Sequence, residues 1–142
     1  MTTTASSSTL QRQLDALNGH DVEAFASCYA DDAQVFDPAY PDLLRGHAAI
    51  AQELRDFLVA FPDFEASVTR VIESGDAVAY EIALRGTHRG SLLGPTGKIP
   101  ATNRKMEIGG GVLARLDAYG RIVEERRYYD LAWLLYQLGH IR

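Results

Sequence analysis

From Leu10 the apolar positions recur at three- to four-residue spacing, with Leu10, Leu14 and Leu17 on one stripe that stops at Asn18-Gly19. Asp21 sits where an N-cap belongs, ahead of a second stripe of Val22, Phe25, Ala26 and Tyr29. A third helical stretch follows His47, with Ile50, Leu54, Phe57 and Leu58 apolar, and Pro62 marks its end. After Phe64 the period changes to two. Val68 to Ile72 leads through Ser74-Gly75-Asp76 into Val78, Tyr80, Ile82 and Leu84, alternating with Ala77, Ala79, Glu81 and Ala83, which predicts a hairpin. A loop carrying Gly86, Gly90, Gly94, Pro95 and Gly97 precedes a second long pair. Met106, Ile108, Val112, Ala114 and Leu116 share one parity there, and Asp117-Ala118-Tyr119-Gly120 reverses the chain into Arg121 to Tyr129. Leu131 to Leu138 is apolar at nearly every position and stops at Gly139, the pattern of a short packed helix.

Three helices followed by long strands predict an α+β domain, helices covering one face of an antiparallel sheet, with a short C-terminal helix. The Ser/Thr-rich stretch Met1 to Thr9 is read as a frayed start with neither the positive charge of a signal peptide nor an apolar anchor, and residues 10–142 as one domain. A length of 142 residues with 46% hydrophobic residues suits a single core and leaves little room for a second. The lone cysteine, Cys28, excludes an internal disulfide. A net charge of -5 argues against nucleic acid and anionic membrane surfaces as partners, and no apolar run is long enough to span a bilayer. What remains is a cytoplasmic protein whose partners are small molecules or other proteins.

Parity then screens the polar residues. The apolar set of the first hairpin continues through Gly86 to His88, which places His88 on the core side unless Gly86 breaks the register. In the last strand Ile122, Glu124, Arg126, Tyr128 and Asp130 share one face, and Val123, Glu125, Arg127 and Tyr129 the other. Both faces carry charge, so period alone leaves the inward one open. Asp130 precedes Leu131-Ala132-Trp133, where Asp is also a favoured N-cap. Asp37, before Pro38, fits an ordinary turn. Gly97-Lys98 lacks the rest of a phosphate loop, because position 92 is Leu92 and position 99 is Ile99. His20, His47, His88 and His140 show no paired ligand spacing, so no metal site is expected. Cys28 reads as a small buried hydrophobe.

Asn18 to Phe25, Cys28-Tyr-Ala-Asp-Asp-Ala-Gln-Val-Phe-Asp-Pro38 and Arg45-Gly-His-Ala-Ala-Ile50 together resemble the opening of the nuclear transport factor two-like superfamily, which includes ketosteroid isomerases. Gly86-Thr-His-Arg-Gly90, Pro95-Thr-Gly-Lys98, Gly120-Arg-Ile-Val-Glu-Glu125, Asp130 and Gln137-Leu-Gly139 are similar to the SnoaL-like polyketide (ester) cyclase branch. The resemblance implies a cone: three helices on a strongly curved sheet, commonly a homodimer, around a deep apolar pocket. It implies a general acid/base aspartate at the position of Asp130, and it puts Tyr128, Arg126 and Glu124 on the pocket face. In ketosteroid isomerases the matching base is Asp37. The isomerase oxyanion hole is missing, since its positions fall near Gln13 and Val112, and the cyclases' pocket histidine has no counterpart in Ile108-Gly-Gly-Gly-Val112.

The expectation is therefore a cyclase or isomerase that needs no cofactor and acts on an apolar, polyketide-like carbonyl compound, with Asp130, His88 and Asp37 as its chemistry. Arg126, Tyr128, Glu124, Tyr29, Phe36, Tyr80 and Trp133 would hold the ligand. A non-catalytic binding or scaffold module is the rival, because fold does not fix function. Gly109-Gly110-Gly111 would either let the sheet bend or enlarge the pocket.

Overall fold

The computed structural model describes residues 5–94 and 97–141; residues 1–4 of the expected frayed start, and Pro95 and Thr96 of the loop, lie outside them. Helix α1 spans Ala5–Asn18, so the helix begins earlier than its apolar stripe. Thr9 is buried because its hydroxyl donates to the carbonyl of Gly120, tying the helix to a turn at the far end of the chain. Asn18 closes α1 and reaches across to Ala66, accepting from its amide at 2.7 Å and donating to its carbonyl at 2.9 Å.

Helix α2, Val22–Ser27, starts at Asp21, whose carboxylate accepts from the Ala24 amide as expected of an N-cap. It stops earlier than its stripe suggested. Cys28 is a buried C-cap and Tyr29 opens a strand, β1, Tyr29–Phe36. A two-residue β2, Leu44–Arg45, leads into α3, Gly46–Ala60, which buries Ile50, Ala51 and Leu54. Four long strands and a small hairpin follow: β3 Glu65–Ser74, β4 Ala77–Thr87, β5 Leu92–Gly94, β6 Gly97–Ile99, β7 Lys105–Leu116 and β8 Ile122–Tyr129. Helix α4, Leu131–Gln137, ends as predicted at Gly139, whose φ of 76° suits a left-handed C′ residue.

The main sheet runs β2-β1-β8-β7-β4-β3. Its neighbours are antiparallel except β1 and β8, which are parallel, so the curved sheet is mixed rather than antiparallel throughout. One irregularity decides what faces inward. Leu116 pairs with Ile122, but Arg115 pairs with Glu124, so Val123 is an extra residue in β8. A bulge of this kind reverses the parity of everything after it. Ile122 is buried before the bulge, and Glu125 is buried after it.

Two apolar clusters hold the layers together. One joins α1, α2 and α3 to β1, β4, β7 and β8 through residues such as Ala16, Phe25, Ile50 and Val112. The other gathers Phe61, Phe64, Met106, Ile108, Leu134 and Leu138, so that α4 closes one end of the sheet.

Candidate functional site

Between helices and sheet lies a cavity of about 150 Å³ whose walls are mostly apolar, among them Leu17, Leu54, Phe57, Phe64, Ile108 and Leu134. Besides Tyr80 of β4, its polar lining comes from four places. Gln13 is supplied by α1, Glu53 by α3, and Asp37 and Tyr40 by the turn after β1; Glu125, Arg127 and Tyr129 come from β8 beyond its bulge.

Arg127 is the hub. Its Nη1 donates to Asp37 Oδ2 at 3.0 Å and also to Glu53 Oε1, while its Nε donates to Glu125 Oε2 at 2.8 Å. Asp37 Oδ1 accepts from the Tyr129 hydroxyl at 2.6 Å and from the Ala39 amide at 2.9 Å. Behind them the Tyr29 hydroxyl donates to both oxygens of Glu125, each at 2.9 Å, and Gln13 Nε2 donates to Glu125 Oε1 at 3.0 Å. Tyr80 donates in turn to Gln13 Oε1 at 3.2 Å. Side-chain exposure is 7% for Asp37, 11% for Glu53, 16% for Arg127 and 2% for Glu125, so solvent screens these pairs little.

Three carboxylates thus share one guanidinium. Burial opposes the charge of Arg127, but Glu53, Glu125 and Asp37 outweigh it and hold the group well above its ordinary range. Burial pushes the Glu53 carboxyl up, Arg127 pulls it back, and the charges of Asp37 and Glu125 push it up further. Burial, with Asp37 beside it, also raises the Tyr129 phenol. Asp37 and the raised Glu53 carboxyl thus meet on one Arg127 nitrogen beside the apolar walls of the cavity.

The expected site residues divide. Asp37 and Tyr80 line the cavity. Tyr29 is fully buried behind it, as the prop of Glu125, and begins β1 instead of ending α2. Glu124 and Arg126 face away from it, because the bulge turns Glu125 and Arg127 inward. They pair with each other at 2.9 Å, and Arg126 covers the Phe36 ring at 4.1 Å. Tyr128 sits at the rim, 59% exposed, and Trp133 is half exposed and stacked on Tyr136. Asp130 is exposed and caps α4, accepting from the Trp133 amide at 3.0 Å, so it stands outside the cavity. His88 is on the core side, as parity indicated, and fully buried, but it packs on Phe61 outside the cavity lining.

Five contributors escaped the sequence reading: Tyr40, Glu53, Glu125, Arg127 and Tyr129. Arg127, Glu125 and Tyr129 belong to the face that periodicity had left open. Glu53 carried a usable signal: it is an acid on the apolar stripe of α3, between Ile50 and Leu54. Among the described residues no group of three or more His, Cys, Asp or Glu is placed to hold a metal, and no helix is long and apolar enough to cross a membrane.

Comparison with known proteins agrees with this architecture. No curated protein sequence matches the chain. Among solved structures, TsrD from Streptomyces laurentii superposes with a TM-score of 0.83 at 20% identity, covering 99% of each chain. A protein of ketosteroid isomerase-like fold from Catenulispora acidiphila, in complex with trimethylamine, gives 0.77 at 19% identity and 92% of each chain. IdmH from Streptomyces antibioticus, a candidate polyketide cyclase, gives 0.74 at 28% identity, covering 94% of this chain and 98% of its own. The profile of the SnoaL-like polyketide cyclases matches residues 8–138, nearly the whole chain, and the protein belongs to that family.

Proposed function

We propose that the protein is a cofactor-independent cyclase or isomerase acting on an apolar, polyketide-like carbonyl compound, and that Asp37 is its base. One observation carries this reading: Asp37 and Glu53 meet on the same Arg127 nitrogen at the polar end of an otherwise apolar cavity. Asp37 takes a proton from the carbon next to a carbonyl, and the electron pair moves toward that carbonyl's oxygen as an enolate. The enolate carbon attacks a second carbonyl of the same molecule, forming the ring bond, and Glu53, which shares the Arg127 nitrogen with Asp37, relays the proton from Asp37 to the new alkoxide. Asp37 and Glu53 end as they began, so the reaction is balanced without an outside reagent. Positioned acid/base groups contribute about 10²- to 10⁴-fold, and a cavity that holds a flexible chain folded adds to that by proximity.

Exchange of the α-protons of 1-tetralone in D₂O, followed by NMR, isolates the first step. The protein accelerates exchange and Asp37→Asn abolishes the acceleration, with the fold of the variant checked by circular dichroism; exchange unchanged in that variant defeats the proposal. A binding module is the second reading, favoured by the full set of partners on Asp37, which accepts from Arg127, Tyr129 and the Ala39 amide. It predicts that the ketone binds without any exchange. The homodimer expected from the family resemblance stands as a proposal too: light scattering on the eluting protein should give twice the chain mass of 15.6 kDa.

A further inference from the structure

Proton abstraction next to a carbonyl leaves negative charge on oxygen, and a donor aimed at that oxygen is often the largest single catalytic contribution. The positions where the isomerase resemblance seeks such donors hold Gln13 and Val112. The Gln13 amide is committed to Tyr29 at 2.8 Å and to Glu125. Arg127 spends Nε and Nη1 on its three carboxylates.

Four tyrosines line the cavity: Tyr40, Tyr80, Tyr128 and Tyr129. Tyr129 donates its hydroxyl proton to Asp37, and Tyr80 donates to Gln13. Tyr128 is largely exposed at the rim. Tyr40 differs: it is half-buried in the cavity wall, and its hydroxyl makes no hydrogen bond among the described residues. It also sits on the same turn as the base. Asp37 accepts the Ala39 amide on its side chain and the Tyr40 amide on its carbonyl, the latter at 3.1 Å, so backbone bonds fix residues 37 and 40 relative to each other.

We propose that Tyr40 is the hydrogen-bond donor for the substrate's carbonyl oxygen, receiving the charge that Asp37 generates when it takes the neighbouring proton. This rests on the acid/base reading of the same cavity. A neutral donor is what such a site requires. Burial first, then the charges of Glu53, Asp37 and Asp56, push the Tyr40 phenol above its ordinary range, so it keeps its proton at neutral pH. In the enolate, the oxygen and the carbon that lost its proton are separated by a single carbon. Base and donor must therefore be close neighbours on a rigid segment, and residues 37 and 40 of one turn meet that demand.

The test uses the full chain and 1-tetralone carrying ¹³C at the carbonyl, read by infrared difference spectroscopy. Bound to the wild type, the carbonyl stretch moves to lower frequency than in an apolar solvent. Tyr40→Phe loses that shift, and its Kd for the ketone rises about fivefold, the equivalent of one neutral hydrogen bond. A shift retained in Tyr40→Phe overturns the inference, as does a shift lost in Glu53→Gln and kept in Tyr40→Phe, which makes Glu53 the donor. A ketone that fails to bind at all also overturns it. The proton-exchange assay separates the two ideas. Exchange that needs Asp37 but ignores Tyr40 leaves the acid/base reading standing and removes the donor, whereas a Tyr40-dependent shift without any exchange removes the acid/base reading alone.

Discussion

Asp130 and Asp37 show how position in a fold divides two chemically identical groups. Asp130 stands in solvent and satisfies an orphan amide at the start of α4, whereas Asp37 is nearly sealed from solvent and faces apolar walls. Asp130→Ala should therefore cost about 1 kcal/mol in urea denaturation, the ordinary worth of an N-cap, while leaving ketone affinity and proton exchange at wild-type values. A large loss of exchange in that variant would return the chemistry to Asp130. Arg127 has the opposite profile. Arg127→Met leaves Glu53, Glu125 and Asp37 crowded together without their cation, and removing one partner of a buried ion pair typically costs about 3–5 kcal/mol. Burial already raises the Glu53 carboxyl and losing the cation raises it further, so the variant's deficit relative to the wild type shrinks between pH 7 and pH 5. Denaturation midpoints across that interval check it, and a deficit that stays constant with pH would contradict it.

At the scale of elements, most of the architecture was legible because it rests on local signals. The stripe of α3, the Ser74-Gly75-Asp76 turn between β3 and β4, and the stop of α4 at Gly139 each follow from a few adjacent residues. The failures have physical causes of another kind. Asp31 and Asp32 interrupt the apolar alternation of β1, and its partner β8 is parallel and distant in sequence, so no hairpin turn announces it. The inward face of β8 depends on the one-residue bulge at Val123, which no period reveals. The glycine run inside β7 is partly explained. A Cβ on Gly110 would meet the Tyr128 carbonyl oxygen at 2.8 Å, so this glycine lets β8 approach β7 where Tyr129 and Arg127 enter the site, whereas a Cβ on Gly111 meets nothing within 4 Å. Gly110→Ala should destabilise by about 1–3 kcal/mol, the range for overpacking, and weaken ketone binding by displacing Tyr129. Gly111→Ala should stay within about 0.5 kcal/mol of wild type. Paired thermal melts of the two variants decide it, and equal losses would mean that close approach of the strands is not the reason for glycine at position 110.

At the scale of the molecule, His88 joins parts that are distant in sequence. Its amide donates to the Arg104 carbonyl at 2.9 Å, its carbonyl accepts from Asn103 at 2.8 Å, and the next amide, that of Arg89, bonds the Ala60 carbonyl at the end of α3. The ring lies against Phe61, with Nδ1 at 3.0 Å from Thr102 Oγ1 and Nε2 buried without a hydrogen-bond partner among the described residues. Burial, partly countered by hydrogen bonding to the backbone near Gly90 and Ile99, lowers the imidazole below its ordinary value. The unfolded chain therefore binds a proton at His88 more readily than the folded one. Stability supplied by the neutral ring is complete above about pH 6.5 and declines as pH falls below that value. Glu53 has the opposite sign, since its raised value lets the folded state hold a proton through the carboxylate range; its contribution grows as pH falls and belongs to a lower window. Urea midpoints at pH 7.5 and pH 5.5 should thus fall for the wild type and change much less for His88→Gln, which keeps a polar group toward Thr102 but does not titrate. Because residues 88–104 carry Leu92 and Leu93 into the cavity wall, ketone affinity should weaken over the same interval in the wild type and hold in the variant. Equal pH slopes for the two proteins would show that the tie between β4, α3 and the β5–β6 hairpin does not depend on the protonation of this ring.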